Sequence, residues 1–144
     1  MVDPEGYIDT NIFVYWLGNH PILGRTSYEW IKKIEEFPRG KFVTSTLTLY
    51  QTAIIIAGLT GKNLKDLELI EEVVNSIKSL PGLKIAPLTL DDVTQASNLM
   101  REYNLDYEDA IHLAAALRNK VKEIISNDED FNKTPLKRKF SQKQ

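Results

Sequence analysis

Short apolar runs alternate along the chain with longer stretches whose apolar residues recur every three or four positions. Parallel strands joined by crossover helices read this way. The first run is "GYIDT" at 6–10, after which Ile12, Phe13, Trp16 and Leu17 fall at helical spacing. Trp30, Ile34 and Phe37 repeat that spacing before the "PRG" break at 38–40. A second run, "KFVTS" at 41–45, leads into a helix from about Thr48 to Leu59. Gly61 stands where a C-terminal glycine ends such a helix, and the apolar content of the segment predicts deep burial. Leu64, Leu67, Ile70, Val74 and Ile77 form the stripe of an amphipathic helix that ends before Pro81-Gly82.

"LKIAPL" at 83–88 is a third short strand. Thr89 and Asp92 then have the T-x-x-D spacing of a helix cap, with Val93, Ala96, Leu99 and Met100 as the inward face and Asn104 as the stop. "LDYEDAIHLAAALRN" at 105–119 is a strong helix former, and "EIIS" at 123–126 is the last clear strand. This order predicts an α/β fold: a three-layer α/β/α sandwich around a mostly parallel central sheet. Ligands in such folds bind beyond the carboxyl ends of the strands.

With 144 residues, 42% of them apolar and 26% charged, the chain has the size and composition of a single domain with one core. Its longest aliphatic run, Ala53 to Ala57, is far below the roughly 20 residues of a bilayer span. No basic-then-apolar signal opens the sequence, so a cytosolic protein with no membrane partner is expected. Cysteine is absent, which rules out disulfides and thiolate metal sites and leaves carboxylates as the leading ligands for any metal. The net charge of -2 argues against gripping nucleic acid by bulk charge. Residues 133–144 nevertheless hold five of the 18 basic residues and no acid, leaving 13 basic against 20 acidic in residues 1–132. The expected organisation is a domain over 1–132 and a basic C-terminal tail over 133–144, either frayed or an auxiliary phosphate contact.

The candidate chemistry lies at the strand ends. Asp9 follows Tyr7-Ile8, and Asp128 follows Ile124, Ile125 and Ser126, so both emerge at the same edge of a parallel sheet. Asp109 lies in the first turn of its helix and Gln51 in the first turn after the second strand. Each has a structural role open to it as well. Asp9, Thr10 or Asn11 suits a helix cap, Asp106 and Asp109 form a D-x-x-D capping arrangement, and Asp128 and Asp130 suit a turn. His112, among Ile111, Leu113 and alanines, reads as a satisfied core or near-core residue rather than a ligand.

No Ser-His-Asp or Cys-His set can be assembled, and no P-loop or G-x-G-x-x-G turn is present. A phospho-receiver domain would need an acidic pair, a central aspartate and a late lysine where this chain has "DTN", "KIAPL" and "SND". Three aspartates gathered at one edge repel one another, and a divalent cation such as Mg²⁺ or Mn²⁺, which prefers oxygen ligands, relieves that repulsion. A bound ion also lets an acidic pocket accept an anionic phosphate and promotes its hydrolysis.

Together "YIDTNIFVY", "STLTLYQ", "LDYEDAIHLAAAL" and "ISNDEDF" resemble the PIN-domain family, whose small members include the VapC-type toxins of toxin–antitoxin pairs. The similarity runs from about Tyr7 to Phe131. The resemblance implies an endoribonuclease dependent on Mg²⁺ or Mn²⁺, acting on RNA, normally a homodimer and neutralised by a small antitoxin. It places the family's first, third and late acids at Asp9, Asp109 and Asp128, as catalytic and metal-holding residues, with Asn11, Asn127 and Asp130 in support. The chain departs from the pattern at the second acid, where Gln51 replaces glutamate and no acid occurs between Phe42 and Lys65. Thr48 and Gln51 form a T-x-x-Q capping box, for which an amide serves as well as an acid. For metal chemistry the amide oxygen is a ligand without charge and without basicity. The alternative to an active nuclease is therefore a weakened or inactive PIN domain serving as an RNA- or protein-binding module.

Overall fold

The computed structural model describes residues 2–141. Five strands and six helices alternate: β1 (Gly6–Ile8), α1 (Thr10–Leu17), α2 (Gly24–Glu36), β2 (Phe42–Ser45), α3 (Thr46–Thr60), α4 (Leu67–Lys78), β3 (Leu83–Ala86), α5 (Leu90–Tyr103), α6 (Tyr107–Arg118), β4 (Glu123–Ile125) and β5 (Lys137–Lys139). A 3₁₀ turn, Glu129–Lys133, links β4 to β5. The sheet runs in the order β3-β2-β1-β4-β5, and every pairing is parallel. Strand order reverses its direction of growth at β1, whose neighbours are β2 and β4. A crevice at the carboxyl ends of the strands is the geometric consequence of such a reversal.

Both sheet faces are buried, so the strands read as continuous apolar runs. Successive residues still go to opposite sides. Ile8, Phe42 and Ile125 pack under α1 to α4, while Tyr7, Val43 and Ile124 pack under α5 and α6. Register aligns them in rows, with Tyr7 opposite Val43 on one side and Ile124 on the other. The three-layer α/β/α sandwich expected from the sequence is the observed fold.

Several local expectations hold. Thr89 and Asp92 form a reciprocal capping box on α5, Asn104 closes that helix in the left-handed conformation, and Gly61 does the same for α3 at φ 71°. Others need correction. The inward stripe of α4 is Leu69, Val73 and Ile77, whereas Leu64 and Leu67 are exposed. Helix α3 begins at Thr46 with Ser45 as its cap residue, so Thr48 and Gln51 are not a capping box. Thr48 instead pairs with the Thr44 hydroxyl at 2.8 Å. Nor is α3 deeply buried: Thr48, Thr52, Ala53, Ile56 and Ala57 face inward, but Tyr50, Ile54, Ile55 and Leu59 reach the surface. A helix in an outer layer covers the sheet with one stripe only.

The expected basic tail is largely part of the fold. Lys137–Lys139 extends the sheet beside β4, with Ser126 N–H donating to the Lys139 carbonyl at 2.9 Å and Lys139 Nζ pairing with Glu123 at 2.8 Å. Phe140 is buried, and its carbonyl accepts the Trp30 indole N–H at 2.6 Å. Residues 142–144 of that expected tail lie outside the described residues. Trp30 is thus a core side chain, and Trp16 packs partly buried against the same core.

Candidate active site

The carboxyl ends of β1 and β4 bring two ends of the chain together. Asp9 follows β1 and is the cap residue of α1, its Oδ1 accepting from Thr10 N–H at 2.8 Å. Its other oxygen accepts from Ser126 Oγ at 2.6 Å and from Asn11 Nδ2 at 3.2 Å. Ser126 is wholly buried just beyond β4, and its Oγ also accepts from Asp128 N–H at 3.0 Å. One hydroxyl therefore ties the first acid to the loop that carries the late one. Asn11 Oδ1 accepts from Asn127 N–H at 3.3 Å, and Asn127 Nδ2 donates to Tyr15 Oη at 3.3 Å. Both asparagines hold the loop after β4 against α1.

Asp109 arrives from the other layer. Asp106 caps α6 by accepting from Asp109 N–H at 2.8 Å, which sets the first turn of that helix at the cavity. Asp128 in turn caps the 3₁₀ turn by accepting from Asp130 N–H at 2.9 Å. These caps bring one carboxylate oxygen each from Asp109, Asp128 and Asp130 within 4.8 Å of one another. Asp9, Asn11, Gln51, Glu108, Asp109, His112 and Asp128 line a shared cavity of about 210 Å³. Asp9 thus belongs to the cavity but stands outside the tightest oxygen cluster, while Asp130 belongs to the cluster.

Charge crowding is greatest at Asp109. Burial first, then the neighbouring Asp128, Asp106 and Asp9, push its carboxyl up to about 8 from an ordinary 3.8. Lys133 Nζ lies 3.8 Å from Asp130 at the exposed rim. The three convergent carboxylate oxygens are a hard, anionic donor set, and they fit a divalent cation of the Mg²⁺ or Mn²⁺ type.

Gln51 is the hub of a second network. Its Oε1 accepts from Thr10 Oγ1 at 2.8 Å and from His112 Nε2 at 2.7 Å, and its Nε2 donates to Glu108. Burial pushes the His112 pKa down, so the ring is neutral. Because an amide oxygen only accepts, Nε2 carries the ring proton and Nδ1 accepts from Tyr7 Oη at 2.7 Å. Burial likewise pushes the Tyr7 phenol up, which keeps its proton in place. Ser45 lies 2.8 Å from the same phenol, and the chain of bonds runs from β2 through the core to the cavity.

His112 is satisfied and buried, as the sequence suggested, yet it fixes a residue of the cavity. The sequence assigns no role to Ser126 or Glu108, and to Thr10 only that of a possible cap. Hydroxyl or acid residues immediately after a strand or beside a site aspartate were the available signal.

A parallel sandwich whose order reverses at β1, with an oxygen-ligand cluster at that reversal, defines a class of α/β domains suited to phosphate chemistry. The sequence matches the PIN domain over residues 6–137, and the chain belongs to that family. Among curated proteins no sequence matches. Solved structures with the same fold include a toxin–antitoxin complex from Klebsiella pneumoniae, with a TM-score of 0.66 at 20% identity over 92% of this chain and 99% of that one. Mycobacterium tuberculosis VapC20, a toxin that cleaves the sarcin-ricin loop, superposes with a TM-score of 0.71 at 14% identity over 89% and 93% of the two chains. Rickettsia felis VapBC2 bound to a DNA fragment from its promoter gives 0.66 at 17% identity over 93% and 96%. At these identities the likeness is one of fold.

Proposed function

We propose that the protein is a cytosolic, metal-dependent endoribonuclease that hydrolyses RNA phosphodiester bonds, the toxin of a toxin–antitoxin pair. The observation that carries this reading is the convergence of Asp109, Asp128 and Asp130 oxygens in the cavity beside Asp9, in a PIN-family chain. Asp109, Asp128 and Asp130, whose oxygens lie within 4.8 Å of one another, would hold the cation. Asp9, oriented by Ser126, Asn11 and the Thr10 backbone, faces the same space. The chemistry such a cation would supply when bound is polarisation of the scissile phosphate and activation of water. Asn11 and Asn127 keep the β4 loop, and hence Asp128, in place.

The neighbours solved as a toxin–antitoxin complex and as VapBC2 support a small antitoxin as the partner. A homodimer suits the outer faces of α3 and α6, where Tyr50, Ile54 and Tyr107 are exposed around a groove of about 500 Å³. A second reading, a non-catalytic module that binds RNA or protein, is favoured by Gln51, an amide whose oxygen is already engaged by two protein donors.

Incubating purified protein with single-stranded RNA and Mn²⁺ decides between them. The nuclease reading expects cleavage that Asp109→Asn lowers by at least about 100-fold without changing the circular dichroism spectrum. RNA bound but uncut by the wild type, with no heat of Mn²⁺ binding, supports the module instead.

A further inference from the structure

Position 51 holds an amide, but the cavity still contains four carboxylates: Asp9, Asp109, Asp128 and Glu108. Glu108 is exposed, in the first turn of α6 beside Asp109, and it accepts from Gln51 Nε2. Glu108 is a carboxylate that only accepts, so it must face the amide N–H group, which leaves the amide oxygen to Thr10 Oγ1 and His112 Nε2. An amide at 51 therefore has its N–H group aimed at Glu108. A glutamate at 51 would keep the contacts to Thr10 and His112 and turn its second oxygen onto another carboxylate. The two positions are chemically matched: one must donate if the other is an acid.

We propose that Glu108, positioned by the Gln51 amide, supplies the negative charge that position 51 lacks and raises the affinity of the acidic cavity for a divalent cation. This rests on the cation site proposed above. Gln51 is a positioning residue here, and Glu108 acts through charge, with or without direct contact to the ion. The pairing also gives Glu108 a role that capping does not provide, because the cap of α6 is Asp106. Substituting Glu108 by glutamine tests charge alone, as the glutamine oxygen still accepts from Gln51.

Mn²⁺ affinity, measured by isothermal titration calorimetry on the full chain with the metal alone, is the readout. Glu108→Gln is expected to weaken binding by about three- to tenfold, the scale of one exposed carboxylate acting on a divalent ion through screened surroundings. The exchange Gln51→Glu with Glu108→Gln keeps an amide-to-carboxylate bond and returns the charge to position 51. It is expected to restore affinity to within about twofold of wild type. Asp109→Asn, which removes a carboxylate of the cluster itself, is the reference for loss of the site. If it abolishes binding while Glu108→Gln stays within twofold of wild type, the cation site stands and the role of Glu108 is overturned. An exchange variant as weak as Glu108→Gln alone overturns it too. Wild-type protein that takes up no Mn²⁺ overturns both the inference and the nuclease reading. Glu108 is exposed, so the single variant keeps the test decisive even if the exchange variant fails to fold.

Discussion

Asp109 carries the largest electrostatic burden among the cavity residues. With its carboxyl raised to about 8 from 3.8, the folded chain keeps a proton over this interval that the unfolded chain has released. Its contribution to stability is therefore fully present below about pH 3.8 and is lost as the pH rises through about 8. For chelator-treated protein, thermal melts should show Tm falling between about pH 5 and pH 8. Asp109→Asn removes the titrating group, so it should flatten that slope and raise Tm at pH 8 by about 2–6 °C. A variant less stable than wild type at pH 8 contradicts the assignment. The proposed cation would relieve the same crowding, so Mn²⁺ should raise the Tm of wild type but not of Asp109→Asn.

Among the secondary-structure elements, β5 shows how much of a fold a charged segment can hide. Its residues, Lys137, Arg138 and Lys139, offer no apolar signal, and on sequence alone they read as part of a basic tail, either frayed or an auxiliary phosphate contact. The strand forms because β4 presents an open edge and because Phe140, the next residue, is anchored. Its ring inserts into the core beside Tyr15, and the Trp30 indole bonds its carbonyl. Burying such a side chain contributes about 1.5–3 kcal/mol. Phe140→Ala is accordingly expected to destabilise the protein by about 3–4 kcal/mol, read as a lower urea midpoint at unchanged slope. Phe140→Leu, which removes only part of the side-chain volume, should cost less, about 1–2 kcal/mol. An alanine variant with the wild-type midpoint would return residues 137–140 to the status of a dispensable tail.

At the level of the whole molecule, the outward face of α3 is the feature that the core leaves unexplained. Tyr50 is 65% exposed and Leu59 66%, on a helix whose inner stripe is buried. Adjacent α6 adds Tyr107 to that surface. With homodimerisation through this face, light scattering should return a dimer mass at tens of micromolar protein, and Ile54→Asp should shift it to the monomer while the circular dichroism spectrum is retained. A monomeric wild type at that concentration rules the proposal out. The tryptophans lie elsewhere: Trp30 is 3% exposed and Trp16 lies against the core.

The sequence by itself determined the layered architecture, because apolar period and turn residues are local properties: a run of three or four apolar residues, a glycine at a helix end or a T-x-x-D cap needs no distant partner to be recognised. It also located Asp9, Asp109 and Asp128 at one edge, since a parallel sheet sends every strand's carboxyl end the same way. Tertiary structure alone decided what depends on contacts between remote segments. The bond from Ser126 to Asp9 spans 117 residues, and the pairing of Gln51 with Glu108 spans 57. Side chains of that kind have no periodicity to reveal them. For the same reason Gln51, which locally resembles a cap, is a hub between α1, α3 and α6. Which face of α3 stays exposed, and that "KRK" becomes a strand, were likewise settled by what the neighbouring layers had left open.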